Sequence, residues 1–586
     1  MALQVWCPFT LDTRQQGLGD ISIPISASQG SIVTNGKLGK CLKTTVTGNI
    51  ETTYIPDLNS SNYSIGGWFK FNKSELQTAL SNLDYTSIKT FAMGNLIGNN
   101  SYGGLGLCWN SNDMYASSRV FNRLDIFGCL RTSSAGVQNV GTIIVDFDVW
   151  VHIFLVFDRT HKTLSLYKNG SLIQSKTITD FSDGVSHKLY INYGAVTAGN
   201  GPRACIPFYM NDFRLYDHAL APKEIEILSR GLVCHYPLSD SAIEATTNLV
   251  ISLTAGTRTT KSADGTSIIT NGENADTYFY INTSEAITTN TIYTFSCYVT
   301  GASGDSKYGY KINNESSLAF YLKNGYNEYT FSATSSMNNK TQILIDDGTR
   351  PETITSITIT NIQLEKKDHA TLYAGLGGTR SGDTTVYDCS GFQNNGTVSG
   401  SPTVSNDTAR YSVSTNFAKS PYIQTTLPLP NGDGKHYTFS WWGKYTNYSG
   451  HMMWGYANGN RLNLYMASGN FYWNTGDGSN NPFGVSAATY GNNAWHHFVV
   501  TGDGTVTKLY IDGEFKADAK AYKPITGTTL IFNGWATSTD YDFNGSLSDF
   551  RLYATALSAA QVAELYNTAV SVANNGTLLG YELVEV

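Results

Sequence analysis

Chemistry at a single site needs particular side chains at particular spacings, and three places in this chain come close. Asp146-Phe147-Asp148 sets two carboxylates at alternate positions, which an extended strand would turn to one face. Hydrolysis of a glycosidic bond through a carboxylate nucleophile needs such a pair about 5–5.5 Å apart. No third carboxylate follows, and the Trp150 strand opens directly after, so a solvated strand edge is the expectation. Glu224-Ile225-Glu226 is a second pair, but it lies in a segment with helical apolar spacing and reads as a solvated helix face. His496-His497 invite a metal; adjacent residues on a strand point to opposite faces and do not chelate one ion together. His152, which aligns with His497, reads as packing at the edge of a core. The sequence has neither a Gly-x-Ser-x-Gly elbow nor a Gly-x-x-x-x-Gly-Lys-Ser/Thr phosphate loop. No catalytic residue is expected, and binding is what remains.

Saccharides stack on aromatic rings and exchange hydrogen bonds with Asn, Asp and backbone groups. Two stretches that align with one another, Leu105 to Ala116 and Leu462 to Trp473, offer those groups. The first clusters Trp109, Asn110, Asp113 and Tyr115; the second clusters Tyr465, Asn470, Tyr472 and Trp473. Trp109, Asp113, Tyr115, Tyr465, Asn470, Tyr472 and Trp473 are therefore the candidate binding residues. In a chain with 37 Tyr, 26 Phe and 10 Trp, the same aromatics would equally serve a core or a domain interface.

The elements that must position them repeat. Asp212-Phe213-Arg214-Leu215-Tyr216 recurs as Asp549-Phe550-Arg551-Leu552-Tyr553, each with a short Leu-rich helical tail behind it. Upstream, Trp150-Val151-His152 pairs with Trp495-His496-His497, and Tyr63 to Trp68 pairs with Tyr437 to Trp442. Leu166-Tyr167-Lys168-Asn169-Gly170 pairs with Leu509-Tyr510-Ile511-Asp512-Gly513. The Asn-Gly and Asp-Gly steps predict tight hairpins, because both residues tolerate positive φ. Ser558 with Gln561 three residues on predicts a capping box, and Pro222 marks a first helical turn. Two copies of one domain follow.

Between the copies lies a different unit that opens at Thr247-Asn248-Leu249-Val250 and closes with an alternating run, Ile354 to Leu364. Just before it, Leu232 to Leu238 echoes the opening strand Val5 to Leu11; just after it, Tyr387 to Val398 continues such an opening. The expected organisation is domain 1 at 1–231, domain 2 split into 232–245 and 376–567, an insert at 246–375, and a tail at 568–586. Loop tips tolerate insertions of this kind because few contacts cross them.

Bulk composition agrees with many short strands. At 586 residues the chain should divide into about three or four domains, and its 15% charged residues, 56 Gly and 12% aromatics suit sandwiches joined by tight turns. A net charge of −7 argues against broad binding to nucleic acid or anionic membrane, and no apolar run reaches the length of a membrane span. Met1 to Pro8 has no basic region followed by a long apolar one, so no export signal is expected. Eight scattered Cys without a Cys-x-x-Cys pair read as reduced thiols.

The aromatic strand Tyr437 to Trp442, the Trp495-His496-His497 strand, the Leu-Tyr-x-Asp/Asn-Gly hairpin and Asp-Phe-Arg-Leu-Tyr with its helix together resemble the laminin-G-like, concanavalin A-like lectin/glucanase superfamily. The resemblance implies an all-β protein: two concanavalin A-like jelly-roll sandwiches plus an inserted smaller β-sandwich jelly roll. Glycosidases of that fold carry Glu-x-Asp-x-x-Glu or Glu-x-Asp-x-Glu runs, and this chain contains none. Calcium is common in the superfamily, bound by loop carboxylates and carbonyls that the sequence does not single out; no other cofactor is expected. Asn361 to Lys366, followed by Ala370-Thr371, resembles carbohydrate-binding-module jelly rolls of bacteriophage tail proteins, and Gly576 to Leu583 resembles endings of phage structural proteins. The implied function is a virion-associated tail protein of a phage or prophage that binds host surface glycans without cleaving them. Its expected partners are those glycans and other virion structural proteins, in a homo-oligomer, with neither nucleic acid nor membrane. A structural decoration protein, a secreted bacterial lectin or adhesin, and a glycoside hydrolase of the same fold are the alternatives.

Overall fold

The structure, a computed structural model, describes residues 3–7, 25–46, 50–57, 60–81, 93–98, 104–110, 123–132, 136–178, 188–193, 205–239, 241–270, 277–302, 308–313, 315–347, 356–407, 409, 414–417, 422–429, 436–446, 450–457, 460–476, 482–519, 527–532, 544–567, 577–578 and 583–584. These residues form two large jelly-roll sandwiches and a smaller one, each around its own buried apolar cluster.

In the first sandwich the aromatic strand Tyr63–Lys70 lies between Val151–Asp158 and Tyr209–Tyr216. Leu3–Cys7 adds to the far side of Tyr209–Tyr216. The second sandwich repeats the plan: His436–Tyr445 lies between Trp495–Asp503 and Gly545–Tyr553. There the added strand is Leu232–Tyr236, paired with Gly545–Tyr553. Opposite these sheets lie a six-stranded sheet in the first sandwich and an eight-stranded one in the second.

The repeated Asp-Phe-Arg-Leu-Tyr motif is a bulge with a brace. Asp212 and Asp549 both take a left-handed φ of 54° in mid-strand. Pairing with the neighbouring aromatic strand slips at that point in both copies. The bulge lets Phe213 and Leu215, like Phe550 and Leu552, enter the core on one face. Each buried Asp carboxylate then holds the Arg two residues on: Arg214 Nε donates to Asp212 Oδ1 at 2.8 Å, and Arg551 Nε donates to Asp549 Oδ1 at 2.9 Å. A residue of the added strand completes each brace. Trp6 Nε1 donates to Asp212 Oδ1 at 2.7 Å, and His235 Nε2 lies 2.9 Å from Asp549 Oδ1.

The two hairpins are built alike as well. Asn169 and Gly170 have φ of 49° and 81°, Asp512 and Gly513 of 54° and 78°, the paired positive values that a two-residue hairpin demands. Asn169 Oδ1 accepts the His152 N–H, and Asp512 Oδ1 accepts the His497 N–H, each at 2.9 Å. The spelling Asn/Asp-Gly therefore serves the turn and the start of the neighbouring strand together.

Residues 250–365 form the smaller body, two five-stranded sheets around Phe279, Tyr293, Phe295, Tyr310 and the Ile343 and Ile345 pair. The chain leaves and returns side by side, with Thr246–Thr247 paired to Thr379–Arg380. Asn248, fully buried, pins the two ends. Its amide nitrogen donates to Ile362 O and Gly375 O at 3.0 and 2.9 Å, and its oxygen accepts the Val250 and Leu364 N–H groups at 3.0 and 3.1 Å.

The two large sandwiches touch through ordered contacts. Lys37 Nζ donates to Ala554 O at 2.6 Å, and Trp6 meets Phe392 edge-on at 5.8 Å. Helices Pro222–Leu228 and Ala559–Asn567 are joined by charge: Arg230 and Lys223 both reach Glu564, at 2.8 and 2.5 Å, and both also pair with Glu226. Glu226 is thus an interface residue rather than part of a solvated face, because the second helix packs where solvent was expected. Ser558 and Gln561 form the expected reciprocal cap. One thiol expectation is corrected: Cys108 and Cys129, diagonal neighbours on adjacent strands, form a disulfide, while Cys7, Cys41, Cys234 and Cys297 are buried thiols. Of the tail, residues 577–578 and 583–584 are described, and they pair with each other.

Candidate functional site

The site grows out of a strand of the inserted body. In Ile292–Thr300 the side chains of Tyr293, Phe295, Cys297 and Val299 fill the core. Strand alternation then sends Thr294, Ser296 and Tyr298 to the other face. Its partner, Gly325–Ser332, turns Asn327 and Phe331 inward and Tyr326, Glu328 and Thr330 outward. The register sets Tyr298 opposite Tyr326, Ser296 opposite Glu328 and Thr294 opposite Thr330. Directly opposed outward residues lie close enough for their rings to act as one surface. Tyr298 is 44% exposed and Tyr326 53% exposed.

The return segment walls this surface. Residues 368–373 curl over the outward face, and the Ala370 N–H donates to Glu328 Oε1 at 2.9 Å. The second sandwich supplies the remaining side. Asn406 donates to Asp368 O at 2.9 Å, and Ser405 Oγ donates to Asp368 Oδ2 at 3.3 Å. The result is a cleft of about 600 Å³ lined by both bodies, with Ser239 and Asn406 from the sandwich and the Tyr298–Tyr326 surface from the insert. That size suits a small saccharide.

His369 bolts the wall in place. Its Nε2 lies 2.7 Å from Glu244 Oε2 and its Nδ1 lies 2.7 Å from Asp368 Oδ1. Burial pulls this imidazole down, but the hydrogen bonds to Glu244 and Asp368 outweigh it and raise the pKa above the ordinary histidine value. Beneath it Glu365, also buried, accepts the Thr371 N–H at 2.9 Å and the Gln363 amide at 2.8 Å. Burial around the Tyr326 hydroxyl, with Glu328 beside it, pushes that phenol up, so it stays a neutral hydrogen-bonding group. The cleft therefore offers two exposed rings for stacking, the exposed Glu328 carboxylate as a hydrogen-bond acceptor, and fixed polar walls.

The residues singled out from sequence lie elsewhere. Trp473 is corrected from binding to core: it is 1% exposed, its Nε1 donates to Tyr437 Oη at 3.1 Å, and it packs 5.4 Å from Phe439. Alternation along Asn470–Gly476 decides this, since Phe471 and Trp473 face in while Asn470 and Tyr472 face out. Tyr472 stacks on Tyr465 across the hairpin at 4.9 Å, so each ring covers a face of the other. Asn470 donates to Ser468 O at 3.3 Å within its own turn. None of these four lines the cleft. Strand order also makes Asn460–Ala467 the counterpart of Gly104–Asn110, so Asn470, Tyr472 and Trp473 correspond to the strand Asp125–Thr132. Asp113, Tyr115 and the side chain of Trp109 lie outside the described residues. The missed residues had a signal: core-type side chains at 293, 295, 297 and 299 leave Tyr298 on the opposite face.

The histidines weighed for chemistry resolve into packing and hydrogen bonding. His152 lies between Trp68 and Phe154, 5.1 Å from each ring, and burial pulls its imidazole down to about 3. His496 pairs with Asp512 at 2.7 Å, while Ser440 Oγ meets His497 Nε2 at 2.9 Å on the opposite face. Among the described residues, no three His, Cys, Asp or Glu side chains are grouped to hold a metal ion.

Comparison with known proteins adds the family. The sequence matches the laminin G family of the concanavalin A-like lectin/glucanases superfamily at residues 44–226 and again at 417–563. The chain belongs to that superfamily. Its two matched regions fall on the two large sandwiches, with the inserted body between them. No curated protein matches the sequence significantly. Solved structures similar to the chain include domain 4 of AbnA, a GH43 extracellular arabinanase from Geobacillus stearothermophilus in complex with arabinotriose (20% identity, 31% of this chain and 92% of that one, TM-score 0.25). A heptameric SAP-like pentraxin from Limulus polyphemus is 17% identical over 23% of this chain and 70% of its own, with a TM-score of 0.20. The binding domain of botulinum neurotoxin serotype D is 12% identical over 94% and 95%, with a TM-score of 0.28.

Proposed function

We propose that this protein binds a cell-surface glycan without cleaving it, through the cleft between the inserted jelly roll and the second sandwich. One observation carries the reading: Tyr298 and Tyr326 stand opposite each other, both exposed, at a walled cleft of about 600 Å³. Exposed rings beside fixed hydrogen-bonding groups are what a saccharide needs, one for its apolar C–H face and the others for its hydroxyls. Membership in a lectin/glucanase superfamily supports glycan binding as a class, while fold alone leaves the ligand open. We further propose that the protein works on a phage or prophage tail, where several copies would turn weak single-site contacts into firm adhesion. The resemblance of Asn361 to Lys366 and of Gly576 to Leu583 to phage structural proteins supports that setting.

The test is a glycan array probed with the full chain displayed multivalently on beads. Wild type should bind a defined set of glycans, and the Tyr298→Ala/Tyr326→Ala variant should lose about tenfold or more of that binding while unfolding at the same temperature. Release of reducing ends from a bound glycan would overturn the non-enzymatic reading. An antibody to the chain that fails to label tails of purified particles would overturn the virion setting alone.

A further inference from the structure

If the cleft is a glycan site, as proposed above, its charges sort the glycans that can enter. Glu328 is exposed at the mouth, with one oxygen taken by the Ala370 N–H at 2.9 Å and the other 3.4 Å from the Tyr326 hydroxyl. Asp368 forms part of the wall. Among the described residues, no Lys or Arg lines the cleft. The neighbouring Lys367 is directed at Ala245 O, 2.8 Å away, and at Glu244, 3.1 Å away. Among the described lining residues, His369 is the one group that can carry positive charge, and both its ring nitrogens are already on carboxylates. Recognition of a sugar carboxylate relies on Arg or Lys donors, and the cleft presents carboxylates in their place.

We infer that the cleft accepts saccharides without acidic groups, such as neutral hexoses and N-acetylated hexosamines, and rejects those bearing uronic or sialic carboxylates. The rejection is electrostatic and short-range: an incoming carboxylate would meet Glu328 and Asp368 in a partly enclosed space, with no Lys or Arg among the described lining residues to offset them. Sugar hydroxyls gain from the same groups, since a hydroxyl donating to a carboxylate makes a charge-assisted hydrogen bond.

Matched glycans read this directly. An array carrying neutral oligosaccharides beside the same chains oxidised to uronic acids, or capped with sialic acid, is probed at low salt with the full protein on beads. The acidic member of each recognised pair should bind about tenfold or more weakly, and the gap should shrink as salt rises. Glu328→Gln, a surface substitution, should narrow the gap by restoring part of the acidic glycan's binding. Equal or tighter binding of acidic members that is abolished by Tyr298→Ala/Tyr326→Ala would overturn the charge rule and leave the glycan site standing. An array with no ligand, or binding that ignores the two Tyr substitutions, would instead overturn the glycan-binding reading of the cleft, and this inference with it.

Discussion

At the scale of single residues, identical chemistry was put to structural use. Asp549 is buried against Arg551 and His235, and although burial pushes the other way, those partners hold its carboxyl well below the usual range. A depressed carboxyl contributes stability above its unfolded pKa, near 4, and loses it as pH falls. Asp549→Asn should cost about 3 kcal/mol in urea unfolding, because a largely buried Arg is left without its charge partner. The variant should also show a flatter acid dependence than wild type. Unchanged stability together with loss of a measurable hydrolysis would mean that this Asp is catalytic and not a brace. Two aromatics separate core from site in the same way. Trp473→Ala should cost about 3–5 kcal/mol of stability, whereas Tyr298→Ala should leave the unfolding transition in place and act on glycan binding. Nothing in the letters Tyr-Trp distinguishes the two roles; the parity of the strand position does.

Among elements, the helix pair at the junction of the sandwiches has a pH signature. Burial raises the Glu226 carboxyl, but Arg230, Lys223 and Gln561 outweigh it and hold the group down at about 2, against an ordinary 4.5. Its contribution is therefore complete above about pH 4.5 and is lost as pH falls towards 2. Thermal unfolding followed from pH 7 to pH 2 should show a drop over that window in wild type that is smaller in Glu226→Gln. Identical slopes would place the stabilising charge elsewhere in the network. The helices themselves were legible from Pro222 and from the Ser558–Gln561 cap, and the hairpins from Asn169-Gly170 and Asp512-Gly513. In each case a local backbone requirement selects the residue. That Glu226 is an interface group was not legible, since Gln561, which donates to it, lies on the other copy's helix, hundreds of residues away along the chain.

For the whole molecule, the insertion is mechanically simple. Thr246–Thr247 and Thr379–Arg380 lie side by side, so the second sandwich meets the insert through two adjacent strand ends. A chain lacking residues 246–375, closed by a short Gly/Ser linker, should keep a cooperative transition for the second sandwich, because loop-closure cost changes by only about 0.6 kcal/mol per doubling of length. It should also lose glycan binding, since Tyr298, Tyr326 and the His369 wall leave with the insert. A shortened chain that no longer unfolds cooperatively would show that the sandwich depends on its guest.

What the sequence determined by itself is whatever local chemistry forces. The duplicated motif, the paired hairpins and the strand-rich composition establish an all-β duplicate, because bulges, positive-φ turns and alternating cores leave few residue choices. The tertiary structure alone decided where the cleft lies. Its rings come from one body, its bolt joins Glu244 to His369 across the insert, and Ser239 and Asn406 arrive from segments just beyond the strands Leu232–Tyr236 and Thr403–Ser405. A site assembled at the seam of two folded bodies has no spacing to read, because spacing along the chain encodes only what one element can bring together.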